Sequence, residues 1–85
     1  MKLKVLYFAS VKERLGKGAE ELDVPADVAT VAGLRAHLSG RGGAYAEVFD
    51  EKKLVKAAVN QDMVSSTAPL RAGDEVAFFP PVTGG

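Results

Sequence analysis

Apolar and polar residues alternate along the start of the chain. Over residues 2–9, Leu3, Val5 and Tyr7 fall on one face of a strand, and Lys4, Leu6 and Phe8 on the other. That second face turns from charged to apolar along its length. Ser10 and Glu13 have the spacing of a capping box, Val11 and Leu15 stand at i, i+4, and Gly16 suits a left-handed helix end. A short helix is expected over 10–15. Residues 19–24 read as a second strand, Leu22 and Val24 alternating with Glu21 and Asp23, and Pro25 ends it.

Thr30 is the expected N-cap of a longer helix over 31–39, whose apolar stripe is Val31, Leu34 and Leu38. Gly33 inside it costs about 1 kcal/mol relative to alanine. Ser39 to Gly43 is a glycine-rich stop. A second short helix over 44–49 would bury Tyr45, Val48 and Phe49, and Asp50 to Lys53 is a charged turn. Strands follow over 55–60 and 63–65. Arg71-Ala72-Gly73-Asp74 is a turn with Gly73 at positive φ, and a last strand over 75–80 alternates Val76 and Phe78 with Ala77 and Phe79. This is an α+β order. A mixed sheet must cover one face with the main helix, and the apolar first and last strands are natural central neighbours. The arrangement expected is a β-grasp domain over 1–80, with a C-terminal Gly-Gly tail over 81–85.

Composition narrows the function. At 85 residues, with 47% apolar and 26% charged residues, the chain reads as one globular domain with a modest core. Eleven basic residues balance eleven acidic ones, so charge makes no case for nucleic acid or an anionic membrane. The absence of cysteine excludes a disulfide framework and fits a reducing, cytoplasmic setting. It also means that any sulfur handled here cannot sit on the chain's own thiol. The basic-then-apolar opening is too short for a signal peptide and is followed at once by Lys12, Glu13 and Arg14.

The candidate chemistry lies in Pro80-Pro81-Val82-Thr83-Gly84-Gly85. Pro81 forces Pro80 into an extended conformation and neither donates a backbone hydrogen bond, so the sheet must stop. The four residues after Pro81 reach at most about 14 Å. Adenylation by ATP turns the poorly electrophilic Gly85 carboxylate into a good electrophile. Two side-chain-free residues let the chain thread a narrow channel and let sulfur reach the carbonyl. The product is a thiocarboxylate. A terminal Gly-Gly alone can be incidental; the Pro-Pro stiffener, the apolar last strand and the β-grasp order give it weight.

These segments resemble a known family. GDEVAFFPPVTGG (Gly73 to Gly85), AAVNQ (Ala57 to Gln61) and KVLYFASVKE (Lys4 to Glu13) are similar to the small subunits of molybdopterin synthase, the MoaD type of the ubiquitin-like MoaD/ThiS family. The likeness covers nearly the whole chain and is most specific at the tail. It implies that a MoeB-type, ATP-dependent enzyme adenylates Gly85, that a sulfurtransferase supplies sulfur, and that the tail enters a large subunit within a heterotetramer. There the carrier gives sulfur to cyclic pyranopterin monophosphate, forming the dithiolene of molybdopterin. It further implies that no cofactor is bound, that Gly85 carries 1-thioglycine or a glycyl adenylate as a covalent modification, and that catalytic residues belong to the large subunit. Gly33 and the glycine-rich stretch around Arg41 depart from the family pattern.

The resemblance supports Phe8, Met63 and Phe79 as partner contacts on the uncovered sheet face beside Leu6, with Pro80, Pro81, Val82 and Thr83 as tail contacts; Lys12 reads either as a rim charge or as a solvated lysine. The alternative is that the apolar residues belong to the core. His37, the single histidine, makes no metal site without cysteine, and reads as a surface residue. Ser65-Ser66-Thr67 reads as a loop, Gly40-Arg41-Gly42-Gly43 lacks the Lys-Ser/Thr of a phosphate loop, and the pairs Asp50-Glu51 and Asp74-Glu75 read as solvated turns. Two other readings stay open: a carrier or modifier serving thiamin, cysteine or tRNA thiolation or protein attachment, and an interaction module with an incidental Gly-Gly.

Overall fold

A computed structural model describes residues 1–81. Its elements run β1 (Lys2–Tyr7), α1 (Ala9–Leu15), β2 (Ala19–Asp23), α2 (Val31–Ser39), α3 (Gly43–Val48), β3 (Lys56–Val59), β4 (Asp62–Val64) and β5 (Glu75–Phe79). The five strands form one sheet in the order β2-β1-β5-β3-β4. The first and last strands lie side by side and parallel, Val5 opposite Val76 and Tyr7 opposite Phe78, while the remaining pairings are antiparallel. This is the expected mixed sheet. No helix among the described residues is long and apolar enough to cross a membrane.

The core gathers on the helix side. Leu3, Val5 and Tyr7 of β1, Leu22 of β2, Ala57 of β3, and Val76 and Phe78 of β5 meet Val11 of α1, Val31, Leu34 and Leu38 of α2, and Val48 and Phe49 at the end of α3. Phe49 is the hub of the aromatic packing, with its ring centroid 5.0 Å from Phe78 and 6.1 Å from Tyr7. Each such side chain removed from water contributes roughly 1.5–3 kcal/mol.

Helix α2 starts where Thr30 predicted. All four N–H groups of its first turn have acceptors: Ala68 O for Val31, Ser66 O for Ala32, Thr30 Oγ1 for Gly33 and Thr30 O for Leu34. The 65–68 loop therefore caps the helix. The capping box foreseen at Ser10 does not form. Phe8 is the N-cap of α1, and no side chain caps it. The turn out of β1 is made in the backbone at Phe8 and Ala9, with Phe8 O accepting from Val11 and Lys12. Ser10 is already inside the first turn. Gly16 ends α1 at φ 75° and Gly73 turns at φ 86°, as expected. Asp74 is more than a solvated turn residue: it accepts from Asn60 Nδ2 at 3.0 Å and from Arg71 N at 2.8 Å, and Asn60 Oδ1 accepts from Glu75 N.

One polar cluster closes the core at the β2 edge. Glu20 projects to the helix side opposite Val5 and accepts from the hydroxyls of Tyr7 and Tyr45, both at 2.7 Å, and from Arg41 at 3.0 Å. The Arg41 guanidinium also lies 4.9 Å from the Tyr45 ring centroid. Burial pushes the Glu20 carboxyl upward, but the hydrogen bonds from Tyr45, Tyr7 and Arg41 together outweigh it and hold the group below its ordinary value. Burial, and then the bond to Glu20, push the Tyr7 hydroxyl far above its usual range.

Two outcomes follow for stability. Because Glu20 has a depressed folded-state pKa, its contribution is present above the unfolded value and lost as pH falls through the folded one. Glu20→Gln should therefore destabilise the domain by about 1–3 kcal/mol at pH 7, with the gap to wild type closing below about pH 4, as read by urea unfolding across pH. A Cβ on Gly33 would meet Thr30 Oγ1 at 3.4 Å, an ordinary contact. Gly33→Ala should accordingly raise stability by about 1 kcal/mol, visible as a higher urea midpoint at unchanged slope.

Candidate functional site

The face opposite the helices holds the residues singled out for a partner. Cross-strand register sets Ala19, Leu6, Ala77, Ala58 and Met63 in one row across all five strands. The next row toward the end of β5 holds Phe79 with Lys56 opposite it, and Phe8 beyond the end of β1. Lys4, flanked by Glu21 and Glu75, forms the charged row behind. Apolar side chains thus occupy the half of the sheet nearest the tail.

Small residues fill the middle of this patch and large ones stand at its margins. Ala58 is buried but outside the core cluster, and Ala77 is half-buried. Phe8 is 48% exposed and Met63 61%, the latter on the edge strand, while Leu6 and Phe79 are half-buried. The result is a shallow apolar trough, a form suited to aromatic or aliphatic anchors from another protein. Phe8, Met63 and Phe79 all lie on this open face, and none belongs to the core cluster. Lys12 lies on α1, exposed, with its stem against Gly18. Sequence reasoning passed over Ala58 and Ala77, although strict alternation from Met63 and Phe79 through the register would have found them.

Phe8 is set by an unusual backbone. Ala9, immediately after it, has φ 52°, in the left-handed region that costs a non-glycine residue about 1–2 kcal/mol. Phe8 itself stays extended, its N–H donating to Phe78 O, and the turn at Ala9 then sends the chain into α1. β5 ends at Phe79, and Pro80 and Pro81 follow outside the sheet, half-buried, as two residues lacking an N–H require. Val82, Thr83, Gly84 and Gly85 lie outside the described residues.

The helix side has a cleft of about 690 Å³ between α2, α3 and β3, floored by Phe49, Ala57 and Phe78. Its arginine is occupied: Arg35 donates to the main-chain oxygens of Phe49, Asp50 and Lys53, binding α2 to the 49–53 turn. Asp50 Oδ1 accepts from Lys52 N. Among the described residues no three His, Cys, Asp or Glu side chains gather to hold a metal ion, and His37 sits half-buried on α2. The arrangement therefore offers an apolar face beside Pro80 and Pro81, and the described side chains assemble no acid–base pair next to it.

Comparison with known proteins agrees with this geometry. The model of the ThiS family matches residues 5–85. The molybdopterin synthase sulfur carrier subunit of Escherichia coli (strain K12) is 52% identical over 83 residues, covering 98% of this chain and 99% of that protein. Among solved structures, a putative molybdopterin converting factor, subunit 1, from Pyrococcus furiosus superposes with a TM-score of 0.78 at 30% identity, covering 96% of this chain and 99% of the other. SAMP1 from Haloferax volcanii gives a TM-score of 0.77 at 26% identity, with both chains fully covered.

Proposed function

The chain belongs to the ThiS family, and from that premise we propose that it is the sulfur carrier subunit of molybdopterin synthase. The observation that carries this reading is the 52% identity, end to end, with a relative of that name. The apolar trough next to Pro80 and Pro81 supports it, because a carrier must dock its body while its tail enters the partner.

The tail supplies the chemistry. The Gly85 carboxylate attacks the α-phosphorus of ATP in a MoeB-type enzyme and releases pyrophosphate, leaving a glycyl adenylate. A sulfur nucleophile from a sulfurtransferase displaces AMP, and the C-terminal thiocarboxylate results. Its anionic sulfur displaces an oxygen substituent from a carbon of cyclic pyranopterin monophosphate in the large subunit, linking carrier and substrate as a thioester. Water hydrolyses that thioester, leaving sulfur on the substrate and the glycyl carboxylate free for another cycle. Gly84 keeps the approach free of side chains, with Pro80, Pro81, Val82 and Thr83 lining the way in. This chain is the donor, and the catalytic groups sit in the large subunit. The relatives' names, a carrier subunit and a subunit 1, are names for parts of an assembly. They support a second-subunit partner here, in a cytoplasmic heterotetramer. SAMP1's shared fold fits the alternative of a carrier or modifier in another pathway only weakly, at half the sequence identity of the Escherichia coli relative.

Intact mass after incubation with ATP, the adenylating enzyme and a sulfur source should rise by one oxygen-to-sulfur exchange, localised to Gly85. Adding the large subunit and cyclic pyranopterin monophosphate should return the mass to its starting value and yield molybdopterin. A carrier for another pathway would be charged and then stay charged; an interaction module would never gain the mass. Deleting Gly85 should abolish transfer at unchanged melting temperature, and full turnover by that variant would refute the tail mechanism. Phe79→Asp, on the half-buried open face, should leave the domain folded and weaken binding to the large subunit by about tenfold or more in titration calorimetry.

A further inference from the structure

Pro80, where the chain leaves β5, stands between two apolar surfaces, of which only one is the sheet trough. On the helix side of Pro80 lies a groove of about 220 Å³ between α1, α3 and the loop entering β3. Val11, Val48 and Val55 contribute its apolar wall, and Pro80 forms part of its lining. Leu54 stands on the rim at 79% exposure, the most exposed large apolar side chain among the described residues. Its loop is held in place: Lys53 O accepts from Arg35 Nη2, and Lys53 N donates to Asp50 O. A leucine fixed in water by a bonded turn, next to the start of the tail, is presented rather than merely uncovered.

The groove also has a sign. Arg14 and Lys53 line it against one carboxylate, Glu47. Neither cation makes an ion pair among the described residues, whose salt bridges involve Met1, Lys17 and Arg41. Lys52, two residues before Leu54, is exposed. The complement of this surface is an apolar socket with an acidic rim.

We propose that this groove and Leu54 form a second docking surface, taken by the synthase's other subunit, which thereby grips the carrier on both sides of the tail. The proposal rests on the function given above. Because the four residues past Pro81 span at most about 14 Å, a protein that receives Gly85 must approach within that distance of the groove. A partner that holds the carrier through sulfur transfer gains from contact on both flanks, whereas an enzyme that charges the tail and lets go needs only one. Acidic groups on the partner's surface opposite the groove, away from the channel that takes the anionic tail and substrate, would meet Arg14 and Lys53, speeding encounter, while Leu54 would slow departure.

The test measures binding of the full-length carrier to the large subunit by surface plasmon resonance, with Leu54→Asp, Arg14→Glu and Phe79→Asp side by side. Leu54 and Arg14 are exposed, so unchanged thermal melts are expected for both. Leu54→Asp should raise the dissociation rate at least about tenfold, and Arg14→Glu should lower the association rate and flatten its dependence on salt. Wild-type affinity for both variants, with Phe79→Asp defective, would overturn the second surface and leave the carrier function standing. Normal binding of Leu54→Asp joined to defective adenylation would assign the groove to the charging enzyme and overturn the assignment made here. Failure of the wild-type chain itself to bind the large subunit would instead strike the function on which the proposal rests.

Discussion

The parallel pairing of β1 with β5 is the constraint on which the rest of the molecule depends. It joins the two ends of the sequence at the centre of the sheet, Lys4 to Glu75 through Tyr7 to Phe78. On the helix side the pair supplies Leu3, Val5, Tyr7, Val76 and Phe78 to the core. On the other side it supplies Leu6, Phe8, Ala77 and Phe79 to the open trough. Parallel strands also end at the same edge, so Phe8 and the Pro80-Pro81 exit arise together. Neither a core nor a docking face could be assembled from one of these strands alone, and the pairing closes only when nearly the whole chain has been made.

Much of this was legible in the residues. Period-two alternation found β1 and β5 and assigned their faces correctly, because one face of each is buried and a one-residue slip would reverse every side chain. Thr30 and Gly16 marked helix ends by chemistry that is local and therefore readable. Ser10 misled for a complementary reason: the chain leaves β1 through a left-handed Ala9, a conformation no propensity assigns to alanine, and this shifts the start of α1 past the expected cap. The strands over 55–60 and 63–65 implied a turn between them, but the positive φ at both Asn60 and Gln61 was not foreseen because neither is glycine.

Polar residues far apart in sequence were the least readable. Glu20, Tyr7, Tyr45 and Arg41 come from four separate segments and mean nothing until the fold brings them together. Once assembled, they explain the unusual stretch around Arg41, which supplies the guanidinium that neutralises the carboxylate. Leu54 was similarly invisible: it falls between the Asp50 to Lys53 turn and the strand expected from residue 55, and only its exposure beside the Arg35-bonded turn shows that it faces water. The functional surface is thus divided between alternation along strands, which a sequence displays, and loop presentation, which it does not.

The shared direction of β1 and β5 has a practical corollary. Met1 precedes β1 at the edge of the sheet opposite the tail, its amino group bonded to Asp23 and to Val24 O. Six strand residues at about 3.3 Å each put roughly 20 Å between that amino group and the working edge. A fluorophore, affinity handle or surface tether fused ahead of Met1 would sacrifice one exposed ion pair and leave both flanks of the tail open. The same attachment after Gly85 would occupy the carboxylate that the proposed mechanism charges.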